Sequence, residues 1–549
     1  MTRILYECWD LEKPFGGVRR LYRHVEILSR NGYDAAILHH RPGFRVEWLT
    51  STAPVKYASS GLDLEPDDVL VIPEGHTDVI ASTVFSPCRR VVIALNWANI
   101  FSALPVGLDW RHLGISEVIA GSQYEQTFVK QTMGLDSTVI VSGIDGTLFQ
   151  PAARKVCQVA FMPRKNANVF HLIASVFRSK FPQYSEVQFV PIEGLAHEQV
   201  SRVLSESAIF LATSFPEGLA RPPLEAMACG CVVVGFSGRG SLEYMDHLRN
   251  CYLADDMDVL SVAEHLGAAL SAVEDGRAGG MQVAARETAR RYSLEREEDT
   301  VLGYWRRCLA TPPAPPARRY APGERTYPGN DVGAASPLGR DEPAGESDPD
   351  TRWQFGFDDV YDRAVAGAPS PAVFVEVGTQ PGAGTAHLAA RIRESCKDIH
   401  VFAVDSFTAA GAYPGSMGGV PKGVGDVFRE FCENIRGCGL ESYITPILGE
   451  SRASSSRFPD HSVDFVFINA SRGYADVKAD ILTWLPKVKS EGVIAGHGYN
   501  ERHPGVMKAV AELFSPGSFE VMRHSWYVAD PCGRLGMGVA RGKRASAGP

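Results

Sequence analysis

The chain lacks most of the features that mark specialised protein classes. It holds 11 cysteines in 549 residues, scattered and without a CxxC pair. Neither a zinc module nor a disulfide framework is therefore expected, and reduced thiols of a cytoplasmic protein are the simplest reading. No run of 18 apolar residues occurs, so no membrane-spanning helix is expected, which leaves peripheral membrane contact open. The opening Met1-Thr-Arg-Ile-Leu-Tyr-Glu7 reaches an acid almost at once and has no long apolar region, unlike a signal peptide. Basic runs are missing too. The formal net charge is −9, which argues against nucleic acid as the main partner. Internal repeats are also absent. What remains is ordinary for a globular protein, with 45% hydrophobic and 22% charged residues, in a chain long enough for several domains.

The stretch that organises the first half is Thr213-Ser-Phe-Pro-Glu-Gly-Leu-Ala-Arg-Pro-Pro-Leu-Glu-Ala-Met-Ala-Cys-Gly230. The apolar run Ile209–Thr213 before it reads as a buried parallel strand. Leu224–Cys229 reads as a helix, with Pro222 and Pro223 suited to its first turn. Val232–Phe236 is the next strand. Glu217 is thus placed on a loop at the carboxyl end of a parallel sheet, and Glu225 on the helix that follows. Open α/β folds bind ligands at that edge. Two carboxylates eight positions apart, with Gly218 between them, suit a sugar nucleotide. Glu225 would accept ribose hydroxyls and Glu217 would hold the donor sugar. The amides of Gly218, Leu219 and Ala220 and the helix N-terminus would face phosphate oxygens.

The stretch resembles the Glu-x7-Glu region of retaining GT-B glycosyltransferases of the group 1 family, over about residues 1–310. The resemblance implies two Rossmann-like α/β domains, residues 1–143 on the acceptor side and 144–310 on the nucleotide-sugar side. It implies a UDP- or GDP-type nucleotide-sugar donor and a glycan or other acceptor. The surrounding sequence agrees. Ile4–Trp9, the pair Gly16-Gly17 and the apolar spacing Val18–Ser29 read as strand, turn and helix; in the family this turn approaches the donor diphosphate or the acceptor. Strands follow at Gly32–Leu38, Val69–Ile72, Val91–Leu95, Glu117–Ala120 and Thr138–Val141. Glu74, His76 and Asn96 follow strands and are expected at the cleft, His76 as a solvated loop histidine. Ser142-Gly-Ile-Asp145 resembles the family's hinge, with Ser142 in place of the usual Asn. Gln158–Met162 then opens the second domain and ends in Pro163-Arg-Lys-Asn166. The resemblance makes Arg164 and Lys165 the cations that neutralise a leaving diphosphate, as developing charge there requires. A long helical stretch from about Met281 to Leu309 closes the fold.

From Thr311 to Asp350 the composition turns to Pro, Gly, Asp and Glu with few large apolar residues, as in an extended linker. Beyond it, residues 351–549 form a third Rossmann-like domain. Val373–Val377, the turn with Gly378, Gly382 and Gly384, and the strand Val401–Asp405 make up a strand, glycine loop, helix and acid-tipped strand. With Glu376 this is the pattern of class I S-adenosylmethionine (SAM) methyltransferases, in which Asp405 would bind the SAM ribose. Segments at 448–451, 463–468, 474–486 and 492–497 resemble metal-assisted sugar O-methyltransferases, over about 355–540. Two positions depart from that family. Asn469 and Gly498 stand where it carries carboxylates that hold the metal, so no metal is expected. His497 or His503 is left as the candidate general base.

The expected protein is a retaining glycosyltransferase with a tethered SAM-dependent O-methyltransferase that acts on the glycan. A catalytically silent SAM-fold module for assembly or regulation is the second reading, and a nucleic-acid-modifying glycosyltransferase the third. A homo-oligomer stays open.

Overall fold

The structure, a computed structural model, describes residues 2–58, 64–311, 356–379, 381–407 and 424–531. The expected linker, 311–350, lies outside these residues apart from Thr311. Two compact units separate, one from Met1–Thr77 with Ser86–Pro312 and the other from Asp78–Phe85 with Pro313–Pro549, each through its described residues.

The first unit holds two parallel sheets. One contains β1 (Arg3–Glu7), β2 (Asp34–His39), β3 (Val55–Tyr57), β4 (Val69–Pro73), β5 (Arg89–Ile93), β6 (Glu117–Ala120) and β7 (Ser137–Val139), in the order β3-β2-β1-β4-β5-β6-β7. The other contains β8 (Val156–Phe161), β9 (Phe189–Pro191), β10 (Ser207–Ala212), β11 (Val232–Gly235) and β12 (Cys251–Leu253), in the order β12-β11-β10-β8-β9. Both orders reverse beside the first strand, so each sheet has a switch point where neighbouring loops diverge and leave a crevice. The central strands β4, β10 and β11 are buried along their whole length. That is why they read as unbroken apolar runs rather than alternating ones. The short edge strands β3 and β12 carried no such run and were not foreseen in the sequence.

The closing helical stretch is two helices, Gly279–Arg290 and Leu294–Ala310. The chain breaks at Ser293, whose side chain caps the second helix by accepting from the Arg296 amide at 3.3 Å. That second helix packs on the first sheet rather than the second. Trp305 and Tyr304 lie in the core of β1, and the Trp305 indole donates to the Tyr6 hydroxyl at 3.1 Å. The outgoing hinge lies beside this return, since the Ile144 amide donates to the Tyr292 carbonyl at 2.8 Å. A Cβ on Gly143 would stand 2.7 Å from the Ser293 carbonyl.

The second unit contains β13 (Ala372–Val377), β14 (Ile399–Asp405), β15 (Ile444–Leu448), β16 (Val463–Ile468), β17 (Val488–His497), β18 (Glu520–Met522) and β19 (Ser525–Ala529). The order is β15-β14-β13-β16-β17-β19-β18, parallel except for the antiparallel β18 and β19. All three sheets are thus Rossmann-like α/β layers. Among the described residues no helix is long and apolar enough to cross a membrane.

Candidate functional site

Two loops meet at the carboxyl edge of the second sheet. Asn166, which follows β8, adopts a left-handed conformation, φ 57°. Its side-chain amide donates to the carbonyls of Thr213 at 3.1 Å and Phe215 at 2.9 Å, beyond β10. Asparagine is one of the few residues that enter this conformation readily. The clamp sets Lys165 Nζ 2.8 Å from Glu217 Oε1 and 3.3 Å from the Pro216 carbonyl. Arg164 is exposed on the same turn. From the other side, the Glu217 amide donates to the Gly238 carbonyl, and its own carbonyl accepts from Gly240. A Cβ on Gly240 would overlap the Gly218 carbonyl, so the loop after β11 fits against this one only as glycine.

The first sheet closes on the same loop. A Cβ on Gly218 would overlap the Glu125 carboxylate and the Leu95 carbonyl. Asn96 donates to the Pro216 carbonyl and the Trp97 indole to the Gly238 carbonyl, both at 3.2 Å. The Asn96 loop is itself held from below by Glu74, which accepts from the Leu95 and Asn96 amides at 3.1 and 3.0 Å. Glu74 was expected to face the cleft; it is buried instead, because its carboxylate caps these amides. Burial pushes its pKa up to about 7. Glu125 is buried beside Arg20, and burial, only partly opposed by that arginine, pushes it up to about 8.

Glu225 lies in the helix Arg221–Ala228 and is also buried, 3.2 Å from Arg221. Arg19, in the first turns of the helix Gly16–Arg30, contacts His197 Nδ1 at 2.8 Å. Burial lowers the pKa of His197, and Glu225 opposes that shift. Arg19, His197, Arg221 and Glu225 therefore form one ionic group drawn from both sheets. Of the glycine pair, Gly17 is needed for packing, since a Cβ there would stand 2.8 Å from the Phe15 ring, whereas Gly16 has open space around it. Leu219 is half-buried within the Glu217 loop. Thr213 Oγ1 is buried without a hydrogen-bond partner among the described residues. It lines a pocket with Met162, Ser214, Ala220, Pro222 and Phe236.

In the second unit the glycine turn leaves β13 beside the end of β14, with the Gly378 amide bonded to the Val404 carbonyl. Gly378 and Gly382 have φ of +85° and +91°, open to glycine and costly for other residues. A Cβ on Gly384 would stand 2.9 Å from the Phe357 ring and 3.0 Å from Glu376 Oε1. Glu376 is buried and accepts from the Tyr361 hydroxyl at 2.7 Å and the Thr385 hydroxyl at 2.6 Å. Burial pushes its pKa up to about 7. These two hydroxyl partners make it an internal anchor for the helix Ala383–Ser395. Asp405 ends β14 and accepts from the Phe407 amide at 2.7 Å. Thr379 Oγ1, in the glycine turn, is buried without a partner among the described residues. That orphan hydroxyl, next to the acid-tipped strand, fits a polar nucleoside such as SAM.

A divalent cation does not fit the corresponding edge. Arg472 donates to the Asn469 side-chain oxygen at 2.7 Å. A Cβ on Gly498 would lie 3.0 Å from Arg472 Cδ. A guanidinium thus spans the two positions, Asn469 and Gly498, that depart from the resembled metal-binding motif, and a fixed positive charge repels a hard cation. His497 Nδ1 lies 3.1 Å from the Ser525 hydroxyl. Burial, with Arg472 and neighbouring imidazoles adding to it, lowers its pKa to about 4. His503 is lowered as well, by burial and then by Arg472.

Residues 166–272 match the family described as glycosyl transferases group 1, and residues 375–499 match a methyltransferase domain family. The chain carries a group 1 glycosyltransferase domain and a methyltransferase-family domain. It is a glycosyltransferase. An alpha-1,6-glucosyltransferase from Actinobacillus pleuropneumoniae is 28% identical over 266 residues, spanning 46% of this chain and 77% of that protein. Among solved structures, the chain is similar to sucrose-phosphate synthase from Thermosynechococcus elongatus (TM-score 0.44, 12% identity). It is also similar to Anabaena HepE in complex with UDP and glucose (TM-score 0.43, 16% identity). Each comparison covers 56% of this chain and 100% of the other.

Sequence reasoning about the glycosyltransferase missed Arg19, His197, Trp97 and the Asn166 clamp. Asn166 had a signal, being an asparagine directly after the Arg-Lys pair. Arg19 and His197 lie 178 residues apart and had none. In the methyltransferase-family domain Arg472 had the strongest unread signal, a cation inside the altered motif itself.

Proposed function

We propose that the first unit transfers a sugar from a nucleotide-sugar donor of the UDP or GDP type to a glycan acceptor, with retention at the anomeric carbon. The observation that carries this reading is the Lys165–Glu217 pair, held at 2.8 Å by loops from two adjacent strands. Lys165 and Arg164 neutralise the leaving diphosphate, where charge develops as the glycosidic bond breaks. Glu217 accepts donor-sugar hydroxyls and, through its ion pair, keeps the lysine in place. Glu225 binds the ribose, and the Gly218 and Leu219 loop lies under the phosphates. Gly16 and Gly17, in the first turn of the helix Gly16–Arg30, face them from the first sheet. The relative named as a glucosyltransferase supports a hexose donor. The test is a panel of nucleotide sugars scored for hydrolysis and for thermal protection, since a specific ligand raises stability by mass action. Product anomers read by NMR decide the stereochemistry, and an inverted centre overturns the reading.

The C-terminal domain, on this reading, binds SAM through the Gly378–Gly384 turn and Asp405 and acts on the glycosylated product as an O-methyltransferase. The silent-module alternative is favoured by one observation. Arg472 fills the metal position, and His497, at a pKa of about 4, is a weak base at neutral pH. Calorimetry with SAM beside a methyl-transfer assay on the glycosylated product separates the two.

A further inference from the structure

We propose that Glu7, His40 and His76 form a binding site for a divalent transition-metal ion of the zinc class on the first sheet of the glycosyltransferase unit. The three residues come from neighbouring strands. Glu7 is the last residue of β1, His40 directly follows β2, and His76 follows β4 by three positions. Sheet order places β2, β1 and β4 side by side, so the three side chains converge at one carboxyl edge.

Their contacts set the geometry. His40 Nε2 lies 2.6 Å from Glu7 Oε1, and His76 Nδ1 is bonded to Glu7 Oε2. One ligand atom from each residue lies within 4.8 Å of the others. The Glu7 side chain is 1% exposed, His76 15% and His40 47%. Among the described residues no lysine or arginine is ion-paired with Glu7, so a buried carboxylate rests on two imidazoles alone. Such a charge requires close compensation, and a dication supplies it. His76 was expected as a solvated loop histidine; the Glu7 contact and the Trp9 ring, 4.7 Å from it centre to centre, hold it in place instead.

The donor set selects the ion. Two imidazoles and one carboxylate suit zinc-class metals, whereas magnesium and calcium favour oxygen ligands throughout. Metal–ligand bonds of about 2.0–2.2 Å would part the nitrogen and oxygen atoms to about 3 Å, a small rotation of each ring. Outer contacts support the site. Asp10 accepts from the His40 amide at 3.3 Å and pairs with His39 Nδ1 at 2.7 Å, while the Tyr22 hydroxyl lies 2.8 Å from His39 Nε2. The strand end that carries His40 is therefore fixed, as metal-binding side chains require. Three protein ligands leave a coordination position for water or a substrate hydroxyl. The edge is the one whose Asn96 and Trp97 meet the Glu217 loop.

The test uses the full chain, stripped with chelator and titrated with Zn²⁺ by calorimetry and with Co²⁺ by visible absorption. One ion per chain is expected, with a ligand-field spectrum that lacks sulfur-to-cobalt charge transfer. Binding releases protons, so it weakens as pH falls. His40→Ala and His76→Ala should each weaken binding by tenfold or more, about the size of effect that even supporting residues show. His40 is half-exposed, so its variant keeps the fold whatever Glu7→Gln does. No stoichiometric binding, a thiolate spectrum from the free cysteines, or affinity unchanged in both histidine variants overturns the proposal.

Discussion

The glycosyltransferase unit and the methyltransferase-family unit use the same device, a parallel sheet whose carboxyl edge gathers polar loops, but they fill it with opposite kinds of charge pairing. At the donor edge Lys165 faces Glu217, two side chains from different loops that a ligand can part. At the C-terminal edge Arg472 is held by Asn469, a residue three positions away in its own loop. A cation paired across loops can turn toward a substrate, whereas a cation tied within its own loop is part of the scaffold. The first edge is therefore built to respond to an anion that arrives. The second has a charge fixed in advance at Asn469 and Gly498.

The largest effect that tests this contrast is loss of the cation paired across loops. Lys165→Ala should lower kcat/KM for sugar transfer by about 100-fold or more, the size of one lost electrostatic contact to a transition state. Glu217→Gln should reduce turnover as well, since it misplaces both the sugar and the lysine. Near-normal turnover in Lys165→Ala would break the comparison. Glu225→Ala is expected to raise KM more than it lowers kcat, because ribose contacts exist in ground and transition states alike.

The next effect lies in pH. Glu74 and Glu125 are both raised by burial, to about 7 and about 8, from an ordinary value of 4.5. Each folded-state pKa exceeds its unfolded value, so the folded unit holds protons that the unfolded chain releases. Their contribution to stability is complete below about pH 4.5 and is lost as pH rises through 7 and 8. Denaturant titrations should show the first unit weakening by more than about 1 kcal/mol across that window, and Glu125→Gln should flatten the slope. In the second unit burial raises Glu376 to about 7, below the value of Glu125, and also raises Asp480, so its loss should be smaller. A first unit that gains stability from pH 5 to 8 would contradict the burial of both acids.

Much of the fold was legible because the central strands are apolar throughout and the turns carry glycine. β1, β4, β10, β13 and β16 were placed to within two residues. The edge strands β3 and β12 were not, because three-residue edge strands need little apolar sequence. The helix break at Ser293 was missed although serine is a good cap, because residues 281–309 were read as one helical stretch. Candidate residues could be proposed from sequence where a loop supplies adjacent residues, as in Arg164-Lys165 and Gly378–Gly384. They were illegible where strands far apart in sequence bring side chains together. Glu7 and His76 are 69 residues apart, and only sheet order makes them neighbours.

The smallest effect concerns the fixed cation. Arg472 is one of several causes that hold His497 near 4, and burial ranks above it. Arg472→Ala should therefore raise the His497 pKa, read by NMR titration of the ring protons, yet leave it below the ordinary 6.5. The direction follows from removing a like charge beside an imidazolium. The limit follows because the ring stays packed against Phe357, at 5.1 Å between ring centres, and beside Ser525. SAM affinity should change by less than about threefold in this variant, since Arg472 lies at the end of β16 while Asp405 ends β14; Asp405→Ala should weaken it by about tenfold, one good hydrogen bond to a charged group. If Arg472→Ala restored His497 fully and also admitted Mg²⁺, the arginine alone would have been closing the metal position. Unchanged titration of His497 would show that the guanidinium is turned away from the ring in solution, and the contrast between a cation tied within its loop and one paired across loops would fail at this edge.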